Sequence, residues 1–440
     1  MPPDPDDLFR SVDFSGRARI IVAVSGGGDS LALLLLLRDH LKSCAVTPSL
    51  LAVTIDHGLR PESREEAQQV AHLCRQWGIA HRTLHWGGAK PGSGVSEAAR
   101  EARFDLLAQA AEDAGTDLVL TGHTGDDQAE TLAMRRARGR GRGLAGIAPA
   151  TLYNNRVWFL RPLLTERRAS LRTFLRERAV AWIEDPTNRD QRFERVRLRQ
   201  SLSEDEIGRL LKQAEEEAAM RETAGREAAA TISRFAEEVA PGLFRLDKTG
   251  FNNADGDTAL YALRILLAVA GGTPHLPSEN RAGEILSQAT AERARVTLSR
   301  SIVAARGPLI YLHRENRNLP QTSLTAEMLW DGRYRIVPSD DARNLTITPF
   351  GSTNAQSAKI GGFDAPSGLV RSALAAQPAL RSEGAWVGLA ASSVVVHPVA
   401  GPWSRLLPSF DLAPANAIRA LIGGKAIPEL PLQRHKKLMT

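Results

Sequence analysis

The stretch Ile20-Ile21-Val22-Ala23-Val24-Ser25-Gly26-Gly27-Gly28-Asp29-Ser30-Leu31-Ala32-Leu33-Leu34-Leu35-Leu36-Leu37 sets a glycine-rich turn between an apolar strand and an apolar helix. Three glycines let the backbone turn sharply and present N–H groups. Ser25 and Ser30 add hydroxyl donors at a helix start whose partial positive charge favours anions. The turn therefore reads as a phosphate cradle. Asp29 is the discordant residue, because a carboxylate beside phosphate repels it unless a divalent cation bridges the two; a nucleotide with Mg²⁺ is the expected ligand. No Gly-Lys-Ser/Thr closes the motif, and Lys42 lies far down the following helix, so the kinase-type phosphate loop is excluded.

Working outward, residues 19–24, 50–55, 81–86 and 117–121 read as short apolar strands, with helices predicted over 30–42, 62–77, 96–114 and 126–138. This alternation predicts an α/β fold with a doubly wound, mostly parallel sheet whose ligands gather at the carboxyl ends of the strands. The glycine-rich turn, Asp56-His57 and Gly122-His123 all fall at that edge. A fifth strand is expected at 157–161 and a helix from about Thr165. Beyond residue 204, an Ala/Glu/Arg-rich tract with almost no glycine predicts one long helix to about 239. The chain thus divides into a catalytic domain over 1–203, a linker helix over 204–240, a small α or α+β domain over 241–320 and a β-rich module over 325–440. In the small domain, a helix is expected at 257–270 and strands at 295–304 and 308–313.

The chain has 440 residues and a net charge of +6, and the excess is concentrated. Arg135, Arg136, Arg138, Arg140 and Arg142 fall within eight positions, interleaved with glycine, and a second run holds Arg192, Arg195, Arg197 and Arg199. Such patches suit a polyanion backbone rather than base reading. Cys44 and Cys74 make neither a disulfide framework nor a C-x-x-C pair, which fits a cytoplasmic protein. The acidic, proline-rich start is the reverse of a signal peptide, and Leu31–Leu37 is too short an apolar run to cross a membrane.

Two further strings carry chemistry. In Asp56-His57-Gly58-Leu59-Arg60-Pro61-Glu62-Ser63, Asp56 is placed to accept from ribose or adenine and Arg60 to meet a phosphate; the competing reading is a strand-terminal Asx-turn with a solvated His and Arg. In Gly122-His123-Thr124-Gly125-Asp126-Asp127-Gln128-Ala129-Glu130-Thr131, a helix cap accounts for one of the paired acids but not for the whole string. Zinc on His57 and His123 is disfavoured because no i, i+4 or C-x-x-C spacing accompanies them.

Taken in order, SGGGDS, DHGLRPES, GHTGDDQAET, RPLL and EDPTNRDQRFERVRLR resemble the tRNA(Ile)-lysidine synthetase family, within the N-type ATP pyrophosphatases. The resemblance is specific over about residues 19–200 and looser beyond, where Trp330-Asp331-Gly332-Arg333 is similar to the family's C-terminal region. It implies an ATP-dependent ligase that adenylylates O2 of the wobble cytidine in an isoleucine tRNA with a CAU anticodon, then lets free L-lysine displace AMP to give lysidine. It implies ATP and Mg²⁺ on Ser25, Gly26, Gly27, Gly28, Asp29 and Ser30, with Asp29 and Asp127 as metal ligands and Asp56 and Arg60 at the nucleotide. Arg103 and His123 are implied at the reacting groups, and Glu130 with Asp126 at the lysine ammonium. Arg138, Arg140, Arg142, Arg195, Arg197 and Arg199 are implied on tRNA, and a homodimer is the default assembly. The chain departs from the family where Val196 replaces an asparagine and where the Arg-Gly loop is one residue short. A tRNA thiolase of the same superfamily would need cysteines arranged for sulfur or a cluster. A decayed tRNA- and ATP-binding protein would not need both sets of acids.

Overall fold

The computed structural model describes residues 2–44, 48–139, 141–184, 190–288, 293–339, 345–382, 385–388 and 394–433. The chain falls into two compact units, the first being essentially residues 1–221 and the second 222–407 with 411–427.

In the first unit, a short helix α1 (Pro5–Phe9) precedes β1 (Arg19–Ala23), α2 (Gly28–Ser43), β2 (Ser49–Asp56), α3 (Ser63–Gln76), β3 (Ala80–His85), α4 (Val95–Asp113), β4 (Leu118–Thr121) and α5 (Gly125–Ala137). Then come β5 (Ala150–Tyr153), β6 (Val157–Leu160), α6 (Arg168–Glu177), α7 (Glu194–Ser201) and α8 (Glu204–Phe235). Six strands lie in the order β5-β6-β4-β1-β2-β3, all parallel except β5 against β6. From β1 the chain winds to β2 and β3 on one side, then returns to place β4 on the other. The β1/β4 boundary is therefore the topological switch point, where a crevice opens at the strands' carboxyl ends.

Both sheet faces are covered, as parallel strands demand. Leu31 to Leu37 of α2 are all buried, which explains a run too apolar for a surface helix. Elsewhere Ile21, Val53, Val119 and Phe159 pack on Leu107, Ala110 and Ala111 of α4. Among the described residues no helix is long and apolar enough to cross a membrane.

The sequence differs from the structure at several boundaries. The helix expected from Thr165 starts at Arg168, because Pro162 opens a separate 3₁₀ turn over Pro162–Thr165 and Glu166 is extended. The antiparallel strand β5 has no counterpart among the predicted elements. The long helix stops at Phe235, four residues early, where the chain becomes β7 (Ala236–Ala240) and turns at Gly242, φ +71°, into β8 (Leu243–Asp247).

In the second unit, α9 (Lys248–Asn253), α10 (Gly256–Gly271) and α11 (Glu279–Gln288) follow. The strand expected over 295–304 is two, β9 (Arg293–Leu298) and β10 (Ser301–Arg306), folded back at Ser299 and Arg300, whose φ values are +50° and +62°. With β11 (Leu309–Arg314) they form a sheet in the order β7-β8-β11-β10-β9, packed on α10. The region expected to be β-rich holds two smaller antiparallel sheets and also helices Ser352–Ser357, Ser367–Ala375 and Leu412–Leu421.

The motif Trp330-Asp331-Gly332-Arg333 is a lock within this unit. Asp331, wholly buried, accepts from Arg314 at 3.0 and 3.2 Å, from Arg333 at 2.8 Å and from Arg300. Arg333 also donates to the Ala376 carbonyl. Removing one partner of such a buried cluster leaves uncompensated charge, so Asp331→Ala is expected to destabilise the protein by about 3–5 kcal/mol. Leu329→Ala, at a more exposed neighbour, should be nearly neutral; denaturant unfolding of the two variants checks the contrast.

Candidate active site

The phosphate cradle is built by its own side chains. Gly26 takes φ +84°, and Gly27 caps α2 without a side chain. Ser30 Oγ accepts the Ser25 N–H at 3.1 Å and donates to the Gly27 carbonyl at 2.9 Å, closing the turn over the helix start. The first-turn N–H groups of α2 have no intrahelical acceptors and face the crevice as an anion site. A Cβ on Gly122 would meet the Asp29 carbonyl at 3.0 Å, so only glycine lets the loop after β4 run this close. Ile183 N–H donates to the Gly26 carbonyl at 3.0 Å, fixing the loop from its other side.

Around the cradle lies a cavity of about 930 Å³ at the switch point, within the size range of small-ligand sites. Ser25, Gly27, Gly28, Asp29, Ser30, Arg103, His123 and Asp127 line it, as do Arg195 and Arg199. Gly26, Asp126 and Glu130 stand just behind its wall.

The acids face arginines. Asp127 Oδ2 accepts the Thr124 N–H at 2.8 Å, forming a capping box at the start of α5, while Oδ1 accepts from Arg168 at 3.0 Å and Arg195 at 2.9 Å. The same Arg168 reaches Asp29 at 3.1 Å and Glu130 at 3.3 Å. Burial pushes the Asp29 carboxyl above the usual range, and the nearby Asp127 adds to this against the pull of Arg168. Burial alone would also raise Asp126, but hydrogen bonds from Arg167 and from the Arg168 N–H hold it below the usual range.

Glu130 is almost fully buried, and its two oxygens accept from Arg195 at 2.7 Å and Arg199 at 2.7 Å besides Arg168. Arg195 and Arg199, expected on a tRNA-facing patch, are thus drawn into the cavity wall. They lie four apart on α7 and share one face, whereas Arg197 points elsewhere and donates to the Gln191 and Arg192 carbonyls. The i, i+4 spacing was the available signal, outweighed by the bulk charge of the run.

Asp56 and Arg60 do not line the cavity. Asp56 accepts from the Gly58 N–H at 2.9 Å and Ser63 Oγ at 2.7 Å, the Asx-turn reading, and Arg60 pairs with Glu66 at 3.0 Å. Arg138, exposed, pairs with Glu194 at 2.6 Å. Arg142 opens a 3₁₀ turn pinned by Arg135, which donates to the Gly143 and Gly146 carbonyls. Arg140 and residues 185–189 lie outside the described residues.

Residues missed in the sequence complete the site. Arg161, Arg168 and Arg100 line it, as does Trp182, which packs beside Gly28, and His57, expected at the strand edge, lines it too. Seven arginines against three carboxylates line the cavity, so it carries excess positive charge. Arg100 and Arg103 stand one turn apart on α4, and desolvation in the concavity, then mutual repulsion, draws the Arg103 pKa down. His123, hydrogen-bonded to Thr121 Oγ1 at 3.0 Å, is held well below the ordinary imidazole pKa by burial first and then by Arg161, Arg103 and Arg100. It is therefore neutral at pH 7.

The fold and crevice define an adenine-nucleotide-binding α/β domain of the PP-loop type, and the PP-loop domain family matches residues 6–206. Over the whole chain, a protein of Mesorhizobium japonicum named tRNA(Ile)-lysidine synthase is 46% identical over 443 residues, covering 97% of each chain. Proteins of the same name from Rhizobium meliloti and Brucella ovis are 34% and 38% identical, over 94% and 79% of this chain and 94% and 80% of theirs. The chain belongs to the tRNA(Ile)-lysidine synthase family.

His123 gives a pH test. Its folded pKa lies below the unfolded value of about 6.5, so the unfolded chain binds more protons as pH falls through that range and stability drops. His123→Gln should remove up to about one proton of this dependence. Melting temperatures at pH 5.5 and 7.5 should therefore diverge less in the variant than in the wild type.

Proposed function

We propose that this chain ligates free L-lysine to C2 of the wobble cytidine of an isoleucine tRNA, using ATP and releasing pyrophosphate and AMP. The observation that carries the reading is the meeting of Asp29 and Asp127 beside the phosphate cradle, in a cavity that seven arginines also line. The tRNA and lysine assignments lean on the names of its relatives.

In the first step the cytidine O2 attacks the α-phosphorus and pyrophosphate leaves. The cradle N–H groups and Ser25 and Ser30 hold the departing phosphates, while Arg100 and Arg103 offset charge on the phosphorus oxygens. In the second, the lysine amine, having lost a proton, attacks C2 and AMP leaves. Neutral His123 donates or accepts a hydrogen bond at the nucleotide without adding charge. The chain's role is alignment of three reactants, the larger part of such catalysis.

Asp29 and Asp127 fit a magnesium ion: two carboxylates from separate elements share one cationic partner, the donor set a hard cation prefers. When bound, Mg²⁺ would neutralise phosphate charge. Glu130 and Asp126 are each engaged by arginine, so they would receive the lysine ammonium only by exchange with those arginines. The regions 241–320 and 325–440 would grip tRNA by shape and phosphate contacts, with Arg138, Arg140, Arg142 and Arg197 assisting. A cytoplasmic setting suits these substrates. A thiolase reading is disfavoured because neither cysteine lines the cavity and burial pushes the Cys74 thiol up to about 11.

Purified protein incubated with ATP, Mg²⁺, labelled lysine and a CAU-anticodon isoleucine tRNA should yield lysidine by mass spectrometry; tRNA binding without label incorporation would support a decayed enzyme instead. Asp29→Ala and Asp127→Ala should each reduce tRNA-dependent ATP–pyrophosphate exchange by at least about 100-fold, and near-normal exchange would refute their assignment.

A further inference from the structure

Arg168 holds a position that the reaction as written does not use. Its guanidinium donates from Nε to Asp29 at 3.1 Å, from one terminal nitrogen to Asp127 at 3.0 Å and from the other to Glu130 at 3.3 Å. Three carboxylates, one from α2 and two from α5, therefore converge on one side chain at the start of α6. Its backbone is fixed as well, since its N–H donates to Asp126 at 2.7 Å while Arg167 pairs with the same carboxylate at 3.2 Å. Adjacent acids thus meet adjacent arginines, and the guanidinium bridges Asp29 and Asp127. A single cation satisfying both acids has the same electrostatic task as a divalent ion there. Arg168 also lines the cavity, so a guanidinium released from the acids is already among the phosphates' counter-charges.

We propose that Arg168 is an exchangeable counter-ion: it neutralises the Asp29–Asp127 pair in the absence of metal, yields both carboxylates to Mg²⁺, and then serves as a ligand to ATP phosphate oxygens. This rests on the magnesium reading above and adds that metal entry and phosphate binding are coupled through one side chain. No bond is made or broken in the exchange. Carboxylate oxygens pass from N–H donors to the cation, and the donors pass to phosphate.

The test uses the full chain and Mg²⁺ alone, with thermal unfolding followed against Mg²⁺ concentration at constant ionic strength. Arg168→Gln should lower the half-stabilising Mg²⁺ concentration by about tenfold or more, because the metal no longer competes with a resident cation. Arg168→Lys, which keeps the charge but not the fork, should fall between and provides a folded comparator if the glutamine variant fails to fold. Arg100→Gln removes a charge from the same cavity without touching either acid and should shift the midpoint less than about threefold. At saturating Mg²⁺, Arg168→Gln should weaken ATP binding, measured calorimetrically, by about tenfold. Equal Mg²⁺ midpoints in wild type and Arg168→Gln, an equal shift in Arg100→Gln, or unchanged ATP affinity would each overturn the exchange. Absence of any Mg²⁺ response in all proteins would overturn it together with the magnesium reading, whereas lysidine formation by the wild type tests the reaction separately.

Discussion

Two carboxylates cannot share a partly desolvated crevice without a cation between them, and the first unit is organised around that constraint. Asp29 and Asp127 lie almost one hundred residues apart in sequence, yet strand order brings them together: β1 and β4 are neighbours, and each acid sits in the first turn of the helix that follows its strand. Helix dipoles favour a carboxylate at each site taken alone. Their mutual repulsion is what the dipoles do not answer, and Arg168 answers it from a third helix. The position of α6 is thus fixed electrostatically as much as by the packing of Leu171, Phe174 and Leu175.

The same logic extends one layer outward. Glu130 lies one turn beyond Asp127 on α5, almost out of reach of solvent, and an unpaired carboxylate there would carry a large desolvation cost. Arg195 and Arg199 meet it from α7, so a helix of eight residues is tied to the site by ion pairs and by the burial of Val196. Val196, standing where the resemblance implies an asparagine, is a buried apolar contact.

The two strand-turn-helix units that build the site were legible because β1 and β4 are short apolar runs followed by a glycine-containing turn and a helix start, at Gly27 and at the capping Thr124. Ser25 to Ser30, His123 and Asp127 could be assigned to one rim from that pattern alone. What escaped was set by tertiary pairing. The i, i+4 spacing puts Arg195 and Arg199 on one face of α7, but whether that face meets the cavity or RNA depends on Glu130 across a helix interface. Asp56 differs for the opposite reason: its place after β2 matches a ligand edge, but a local serine and an amide claim Oδ1 and His85 faces Oδ2. In the second unit, the turn at Ser299 and Arg300 requires positive φ from residues that carry no glycine signal, so two strands read as one.

The cavity's charge imbalance follows from the same pairing. Arg168, Arg195 and Arg199 are matched by Asp29, Asp127 and Glu130, and Arg161 is held by the Ala148 carbonyl and Thr151. Arg100 and Arg103 on α4 make no hydrogen bond or ion pair among the described residues; Arg103 stands in the field of Arg100, and Arg100 in that of Arg195. Two desolvated like charges one helical turn apart are unfavourable in the empty protein and become favourable only when anions arrive. In the proposed reaction their stabilisation is reserved for the liganded state, which is where a catalyst of phosphoryl chemistry gains most from placing it. The acids and the surplus arginines are then two halves of one arrangement: the acids already hold a cation, Arg168, whereas Arg100 and Arg103 carry charge that no carboxylate among the described residues matches.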